Sequence, residues 1–299
     1  MMSKYKYLIL LHLIVFIFGF TGILGELITL PAVNLVFFRC LIAMVVIFLF
    51  ALLSKRIKRF DTITSLKMLG IGVLTAIHWI LFFASIKLST VSVAVSIMAS
   101  TALWVALFEP LVTKRKILAS EIILGVMVII GLMIIFSFET KYILGLSVAL
   151  ISAMFAAVFS TFNAQMVKRI DSVNLGFYEM TSATVVVGDY LLLKGEMSFD
   201  ISTNDVLWLL VLGIVATAFA FVISIEVMKE LSPFTVGLTI NLEPIYTIIL
   251  ALIIFGSDEK MTWGFYVGTA ILILAIFLDT LVRRRAKKAL LKAEALQAE

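Results

Sequence analysis

Residues 231–262 read LSPFTVGLTINLEPIYTIILALIIFGSDEKMT, an apolar run with Asn241, Glu243 and Pro244 near its middle. A helix of about twenty apolar residues spans a hydrocarbon core of roughly 30 Å. An ionisable group inside that core costs about 2.5 to 3.5 kcal/mol on insertion scales, so it is expected to face a cavity or a partner. This stretch therefore predicts a membrane-spanning helix with a polar centre.

The rest of the chain has the same apolar character. Of its 299 residues 63% are hydrophobic and 14% are charged, and the mean hydropathy is +1.17. That leaves too little polar surface to cover a water-soluble globule. The longest predicted connection, Lys194 to Asn204, leaves no room for a soluble catalytic domain, and the chain has no GxxxxGK[ST] phosphate loop. We expect an all-α polytopic membrane protein.

Hydropathy predicts ten transmembrane helices. They cover Tyr5–Ile28, Ala32–Leu53, Leu66–Leu88, Val91–Val112, Ala119–Phe138, Ile143–Val167, Val173–Leu193, Asp205–Met228, Pro233–Phe255 and Thr262–Val282. The first is expected to be a retained helix rather than a cleaved signal peptide, because its apolar stretch is long and no convincing cleavage site follows it.

Positive charge orients these helices. In the ten-helix arrangement, 19 of the 24 lysine and arginine residues fall on one side. Positively charged loops are retained in the cytoplasm, so both termini are predicted to be cytoplasmic, in a bacterial-type inner (plasma) membrane. The same clusters account for the net charge of +5, and no nucleic-acid partner is expected. The expected partners are the lipid bilayer and a small-molecule substrate.

The two halves of the chain resemble each other at an offset of 143 residues. Leu69-Gly70-Ile71 matches Leu212-Gly213-Ile214, and Leu88-Ser89 matches Leu231-Ser232. Five helices per half is an odd number, so the second half enters the membrane from the opposite side. This predicts two inverted five-helix repeats with a site between them near mid-membrane. The predicted units are residues 1–140, residues 141–282 and a basic cytoplasmic tail, residues 283–299.

Residues 78–130 and their counterpart, residues 220–268, resemble the paired repeats of the drug/metabolite transporter superfamily, EamA branch. The most specific piece is residues 231–262, with its asparagine-leucine-glutamate-proline stretch and acidic turn. The first half departs from the second: Ser100-Thr101 stands opposite Glu243-Pro244. The resemblance implies a carrier of small organic solutes. Known cargoes of the family include amino acids, nucleosides, vitamins and nucleotide sugars.

Glu243 is the first candidate for binding a substrate or a proton. Asn241 lies beside it, and Pro244 lacks an N–H and so frees the carbonyl of Ile240. A carboxylate, an amide and an unpaired acceptor are therefore expected at one depth. The alternative is structural, with Glu243 fixed by its helix neighbours and Pro244 supplying a kink.

Other polar and aromatic side chains within the apolar runs are candidates for lining a substrate site. They are His78, Trp79, Ser100, Thr101, Asn163, Tyr178, Glu179 and Tyr246. A histidine can exchange a proton near neutral pH, a buried carboxylate needs a partner, and an aromatic ring can stack on a substrate. For each, the alternative is ordinary packing or hydrogen bonding between helices.

Glu26 and Arg39 fall in the outer halves of adjacent predicted helices, where they could pair with one another. A fixed ion pair that stabilises the first hairpin is one interpretation, and a gate is the other. Gly264 and Gly268 form a GxxxG motif suited to close helix contact, either within a monomer or in a homodimer. A single cysteine and two histidines give no metal-binding pattern, so neither a metal nor a cofactor is expected.

The expected function is that of a secondary transporter for a small polar or amphipathic metabolite, working by alternating access through a central cavity. Amino acids are one candidate cargo and efflux the favoured direction; nucleosides and vitamins are alternatives. A membrane-embedded enzyme is a further alternative, but the chain has no paired nucleophile and base at recognisable spacing. A channel is the third class.

Overall fold

A computed structural model describes residues 2–114, 116–231, 239–240, 242–275, 277–278 and 281–282, with side chains from residue 6 onward except at 228–230. Helices joined by short turns make up this part of the chain, which contains no strand. The helices are α1 Met2–Leu27, α2 Ala32–Leu53, α3 Thr62–Leu88, α4 Val91–Met98, α5 Thr101–Thr113, α6 Ala119–Phe138, α7 Ile143–Met166, α8 Ser172–Lys194, α9 Thr203–Leu210, α10 Ala220–Glu230, α11 Glu243–Phe255 and α12 Trp263–Ala275.

Seven helical segments in the described part of the chain are long and apolar enough to cross a membrane. They are Lys6–Leu27, Ala32–Leu53, Thr62–Leu88, Val91–Thr113, Ala119–Phe138, Thr140–Met166 and Thr203–Val227. The prediction of an all-α, multi-pass membrane protein is confirmed.

The other three predicted spans differ from these seven. The 23-residue helix α8 is long enough to cross but is more polar, because it carries Asn174, Glu179 and Asp189. Part of the ninth predicted span lies outside the described residues, and α11 covers 13 residues of it. The described part of the tenth is the shorter apolar helix α12. The basic tail, residues 283–299, also lies outside the described residues.

Polar side chains fix where several helices begin. Asp61 caps α3 by accepting from the Thr64 N–H at 3.0 Å, and Thr90 caps α4 by accepting from the Val93 N–H at 3.2 Å. Hydrogen bonds from Thr64 lower the pKa of the Asp61 carboxyl, which lies outside the membrane-spanning segments. Such caps satisfy N–H groups that have no partner within the helix.

Two of the predicted continuous helices are irregular. The fourth, predicted over Val91–Val112, is broken at Ala99 and Ser100 into α4 and α5. The eighth contains a π-helical stretch, Val211–Phe219, between α9 and α10. Within it the Thr217 hydroxyl donates to the Leu212 carbonyl at 2.7 Å. Hydropathy is insensitive to both features because the residues around them are apolar, and helix interruptions of this kind often mark functional sites.

Helices from the two predicted halves interleave in the interior. Helix α3 packs on α7 and α8, and α2 packs on α8. One close contact between α3 and α8 is at Gly72, where a Cβ atom would lie 2.3 Å from the carbonyl oxygen of Glu179. This close approach sets the position of Glu179 against α3.

Polar contacts tie the two halves together beyond each end of α2. At the Thr29 end, Asp205 accepts from the Thr29 N–H at 2.8 Å and from its hydroxyl at 2.6 Å. At the Arg56 end, Arg56 forms an ion pair with Asp171, and the Asn174 side chain accepts from the Lys58 N–H at 3.0 Å. Each contact joins a residue before 140 to one after it.

The GxxxG glycines of α12 pack within the chain. A Cβ atom on Gly264 would lie 2.2 Å from the Phe138 ring, and one on Gly268 would lie 2.7 Å from the Gly131 carbonyl oxygen. Their small size therefore serves the α6–α12 contact, which is the intramolecular interpretation of the motif.

Replacing Gly72 with alanine should destabilise the protein, because the new methyl group meets the α8 main chain. We expect Gly72→Ala to lower the free energy of unfolding by on the order of 1–3 kcal/mol. The matched control is Gly70→Ala, two residues away on α3, where a Cβ atom has no neighbour within 4 Å. Thermal unfolding of the detergent-purified variants measures both effects, and equal midpoints would contradict the packing described.

Candidate functional site

Glu179 of α8 lies in the interior of the bundle and is completely buried. Its Oε2 atom accepts from the Asn163 side-chain amide at 3.3 Å and faces the Thr75 hydroxyl at 3.4 Å. Three helices, α3, α7 and α8, thus meet at this carboxyl group. The sequence singled out Glu179 and Asn163 separately, and the structure brings them together.

This cluster has unused hydrogen-bonding capacity. Glu179 Oε1 and Asn163 Oδ1 are buried and have no hydrogen-bond partner among the described residues. A buried polar atom without a partner is costly and calls for an explanation, such as a proton, an ion or a ligand. The arrangement can therefore present acceptor oxygens to a positively charged group.

Arg39 of α2 lies in the interior, where its contacts are with Thr217 and Trp79. Its Nε and Nη2 atoms donate to the Thr217 hydroxyl oxygen at 3.1 and 2.9 Å, and its guanidinium carbon lies 3.8 Å from the Trp79 ring centroid. Trp79 also packs edge-on against Phe221, with ring centroids 5.6 Å apart. Trp79 thus provides an aromatic face in the interior, and the guanidinium group of Arg39 lies against that face.

The predicted pairing of Glu26 with Arg39 is wrong. Glu26 is exposed at the end of α1, beside Lys87, whose ammonium group donates to the main-chain oxygens of Glu26 at 3.3 Å and Ile28 at 2.7 Å. Depth along the helices suggested the pair. Depth does not reveal which face a side chain occupies, and Arg39 faces the bundle interior.

His78 is held by a neighbouring helix. Its Nδ1 atom lies 2.9 Å from the Ser152 hydroxyl and 3.1 Å from the Ser152 carbonyl oxygen, and the same hydroxyl donates to the His78 carbonyl at 2.9 Å. The hydroxyl hydrogen is thus used, so Nδ1 is the donor. The ring lies beside Phe159, with centroids 5.4 Å apart. These contacts favour the packing interpretation of His78.

Buried hydroxyl groups lie on α4 and at the break that follows it. Ser92 and Ser96 of α4 and Ser100 of the break are spaced four residues apart, and the side-chain oxygens of all three have no partner among the described residues. Residues four apart share a helix face. Thr101 and Trp104, in the first turn of α5, likewise have unpartnered polar atoms. The predicted polar lining at Ser100 and Thr101 therefore lies at the helix break.

Glu243 and Tyr246 lie at the start of α11, against α1. Glu243 is the first residue of that helix and is half-buried, and its carbonyl accepts from the Thr247 hydroxyl at 2.8 Å. Tyr246 packs edge-on against Phe16, with centroids 6.1 Å apart. Asn241, predicted to act with Glu243, lies outside the described residues.

Tyr178 does not join the Glu179 cluster. It packs against Phe60, in the connection between α2 and α3, with ring centroids 5.9 Å apart. Adjacent residues on a helix point in different directions. Tyr178 therefore contacts the connection between α2 and α3, while Glu179 faces the interior of the bundle.

Sequence reasoning missed three side chains that hold the candidate residues in place. Thr75, Ser152 and Thr217 contact Glu179, His78 and Arg39, respectively. Each is a small polar residue within an apolar helix, and such residues are frequent in membrane helices for many reasons. In the described part of the chain, no group of three or more histidine, cysteine, aspartate and glutamate residues could hold a metal ion.

Family comparison agrees with this architecture. A model of the EamA-like transporter family matches residues 5–137 and again residues 143–281. The chain belongs to the EamA-like transporter family. It is therefore a multi-pass membrane protein of a transporter family.

One sequence relative and one solved structure match most of this family member's length. The uncharacterized transporter YxxF of Bacillus subtilis (strain 168) is 26% identical over 285 residues, which cover 91% of this chain and 88% of that protein. A solved crystal structure aligns with a TM-score of 0.68 at 16% identity and covers 94% of this chain and 99% of its own. The second comparison shows the fold alone.

Removing the amide that supports Glu179 should destabilise the interior. We expect Asn163→Leu to lower the free energy of unfolding by about 0.5 to 2 kcal/mol, because the buried carboxyl group loses a donor. The control is Gln165→Leu on the same helix, where the side-chain oxygen accepts from the Lys168 ammonium group at the exposed helix end. Chemical unfolding of the purified variants measures both free energies of unfolding. If Gln165→Leu lowers the free energy of unfolding as much as Asn163→Leu does, the role given to Asn163 is contradicted.

Proposed function

We propose that the protein is a secondary transporter of a small polar or amphipathic metabolite, with amino acids the first class to test and efflux the expected direction. Its substrate occupies a central site that opens alternately to the two sides of a bacterial-type plasma membrane. The family membership supports the transporter class, and the proposals on substrate and mechanism rest on the arrangement of the broken helices.

The observation that carries the proposal is a helix break in the first half that matches the beginning of a helix in the second half. Helix α4 ends at Met98 and α5 begins at Thr101, while α11 begins at Glu243. At the 143-residue offset, Thr101 corresponds to Pro244. Interrupted helices at corresponding positions of two repeats are a general sign of a transporter's binding site, because unpaired main-chain groups there can meet a solute.

The helices at these two places also pack against each other. Helix α11 packs against both α4 and α1. A Cβ atom on Gly22 of α1 would lie 3.1 Å from Val91 and 3.3 Å from Thr247, so the three helices meet closely there. Helix α4, which carries buried hydroxyl groups, thus packs against the helix that begins at Glu243, and we treat the two as one neighbourhood. We assign substrate contact to this neighbourhood, with Glu243 as its charged member.

We further propose ten membrane-spanning helices, arranged as two inverted five-helix repeats with both termini in the cytoplasm. The observed bounds support this arrangement: α1, α2 and α3 begin at residues 2, 32 and 62, and α7, α8 and α9 begin at 143, 172 and 203. The two separate matches of one family model also support it. The 19 basic residues on one side support the orientation.

Transport by purified protein in liposomes should proceed without ATP and respond to a proton or counter-substrate gradient. Glu243→Gln removes the charge with little change in volume, so we expect it to reduce the initial rate at least about tenfold, since a charge-assisted contact is worth about 1.5–3 kcal/mol. The control is Glu196→Gln, at an exposed glutamate after α8.

The assay uses radiolabelled amino acids first, then nucleosides and vitamins. If the wild type transports a solute and the Glu243→Gln variant transports it at the same rate, the assigned site is contradicted. No gradient-driven uptake of any of the three classes would contradict the proposed function. Covalent turnover of a lipid substrate would instead favour an enzyme.

A further inference from the structure

Arg39 is a permanently charged group placed inside a membrane-spanning helix. It is the eighth residue of α2, about 10 Å along the helix from its start, and its side chain is 2% exposed. A guanidinium does not lose its charge in proteins, so burial cannot be relieved by deprotonation. A charge at this depth is expected to have a partner and a function.

One edge of the guanidinium is occupied by Thr217. Both Nε and Nη2 donate to the same hydroxyl oxygen, at 3.1 and 2.9 Å. That hydroxyl donates its own hydrogen to the Leu212 carbonyl at 2.7 Å, within the π-helical stretch. Its oxygen is therefore fixed as an acceptor, and Thr217 holds the Nε edge of Arg39 in one orientation.

The other edge of the guanidinium makes no hydrogen bond within the described part of the chain. Nη1 is buried and has no hydrogen-bond partner among the described residues. Nη1 and the second hydrogen of Nη2 form a planar fork, the arrangement that binds a carboxylate through two parallel hydrogen bonds. Thr217 fixes the opposite edge, so this fork is preorganised.

In the described part of the chain no carboxylate forms an ion pair with Arg39, in contrast to Arg56, which pairs with Asp171. Arg39 instead lies 3.8 Å from the Trp79 ring centroid and 5.3 Å from that of Phe83. Aromatic faces attract a cation, but they carry no net charge and leave the fork without an acceptor. The site is thus suited to an anion supplied from outside the chain.

We propose that Arg39 binds the carboxylate group of the transported substrate through its Nη1–Nη2 edge. One carboxylate neutralises one guanidinium, whereas a dianionic phosphate would leave an excess negative charge in the same apolar surroundings. This inference rests on the proposed function and narrows it, since it restricts the cargo to small organic acids, including amino acids. In this proposal Arg39 binds the substrate directly and is not a gate residue.

Trp79 provides a local readout of this site. The chain has four tryptophans, so the changes Trp104→Phe, Trp208→Phe and Trp263→Phe leave Trp79 as the single fluorophore. The probes are three acid and amide pairs: leucine and leucinamide, isovalerate and isovaleramide, and phenylacetate and phenylacetamide. Each pair differs at the carboxylate, and one pair carries an α-amino group. Inorganic phosphate is titrated separately.

We expect at least one acid to change Trp79 fluorescence saturably, with its amide binding at least about tenfold more weakly. Arg39→Gln should abolish that preference, and Arg39→Lys, which keeps the charge without the planar fork, should weaken binding of the acid about tenfold. The control is Arg59→Gln, at an exposed arginine between α2 and α3, which should leave the preference unchanged. Size-exclusion profiles check that each variant is folded.

The wild-type comparison of acids with amides requires no substitution at Arg39, so a variant that fails to fold does not remove the test. Equal responses to every acid and its amide, no saturable response to any acid, or tighter binding of phosphate than of the acids would overturn the inference. Liposome transport separates the two proposals. Gradient-driven uptake of solutes without carboxylates would overturn the Arg39 assignment and leave the transporter function intact. An acid-specific Trp79 response without uptake of any solute would overturn the transporter function and leave the Arg39 assignment intact.

Discussion

The absence of hydrogen-bonding partners in hydrocarbon is the constraint on which this structure depends. Every main-chain group within a lipid bilayer must be satisfied by the protein, which favours helices, and every buried polar side chain must find a partner or serve a ligand. The chain meets the first condition with long apolar helices. It meets the second only in part, since Arg39, Glu179 and the serines of α4 retain polar atoms without partners in the described part of the chain.

These unpartnered atoms are arranged around helices from both halves of the chain. Glu179 lies where α3, α7 and α8 meet, Arg39 joins α2 to the π-helical stretch, and α4 packs on α11. Because each cluster uses helices from both halves, a movement of one half against the other would change its surroundings. That coupling between polar interior and helix packing is what a carrier needs in order to exchange a bound solute between two sides.

Much of the fold could be predicted from hydropathy, while the details of the site could not. The predicted starts of α2, α6 and α7 coincide with the observed ones, because a long apolar run leaves little freedom in where a membrane helix begins. The break at Ala99 and Ser100 was missed, since apolar residues on both sides give no hydropathy signal. Seven spans meet the length and hydropathy criteria for crossing the membrane.

At the site, the sequence indicated which residue types are unusual within apolar helices but not which of them meet. Glu179 and Asn163 are close because α7 and α8 pack at that level, a tertiary fact that no local pattern contains. Arg39 was assigned to Glu26 by depth alone, although its side chain turns toward Trp79. Thr217 gave no signal, because its role depends on the π-helical geometry that places its hydroxyl against Arg39.

Alternating access requires the two halves to separate at each end of the bundle in turn. Linking the halves at the Thr29 end, where the Thr29 hydroxyl lies 2.6 Å from the Asp205 carboxylate, would prevent this separation. In a Cys40→Ala background, cysteines at positions 29 and 205 are joined by a short methanethiosulfonate cross-linker that reductant removes, and gradient-driven uptake is measured before and after reduction. We expect the linked protein not to transport and reduction to restore its rate. Transport at full rate by the linked protein would contradict the proposed separation of the halves.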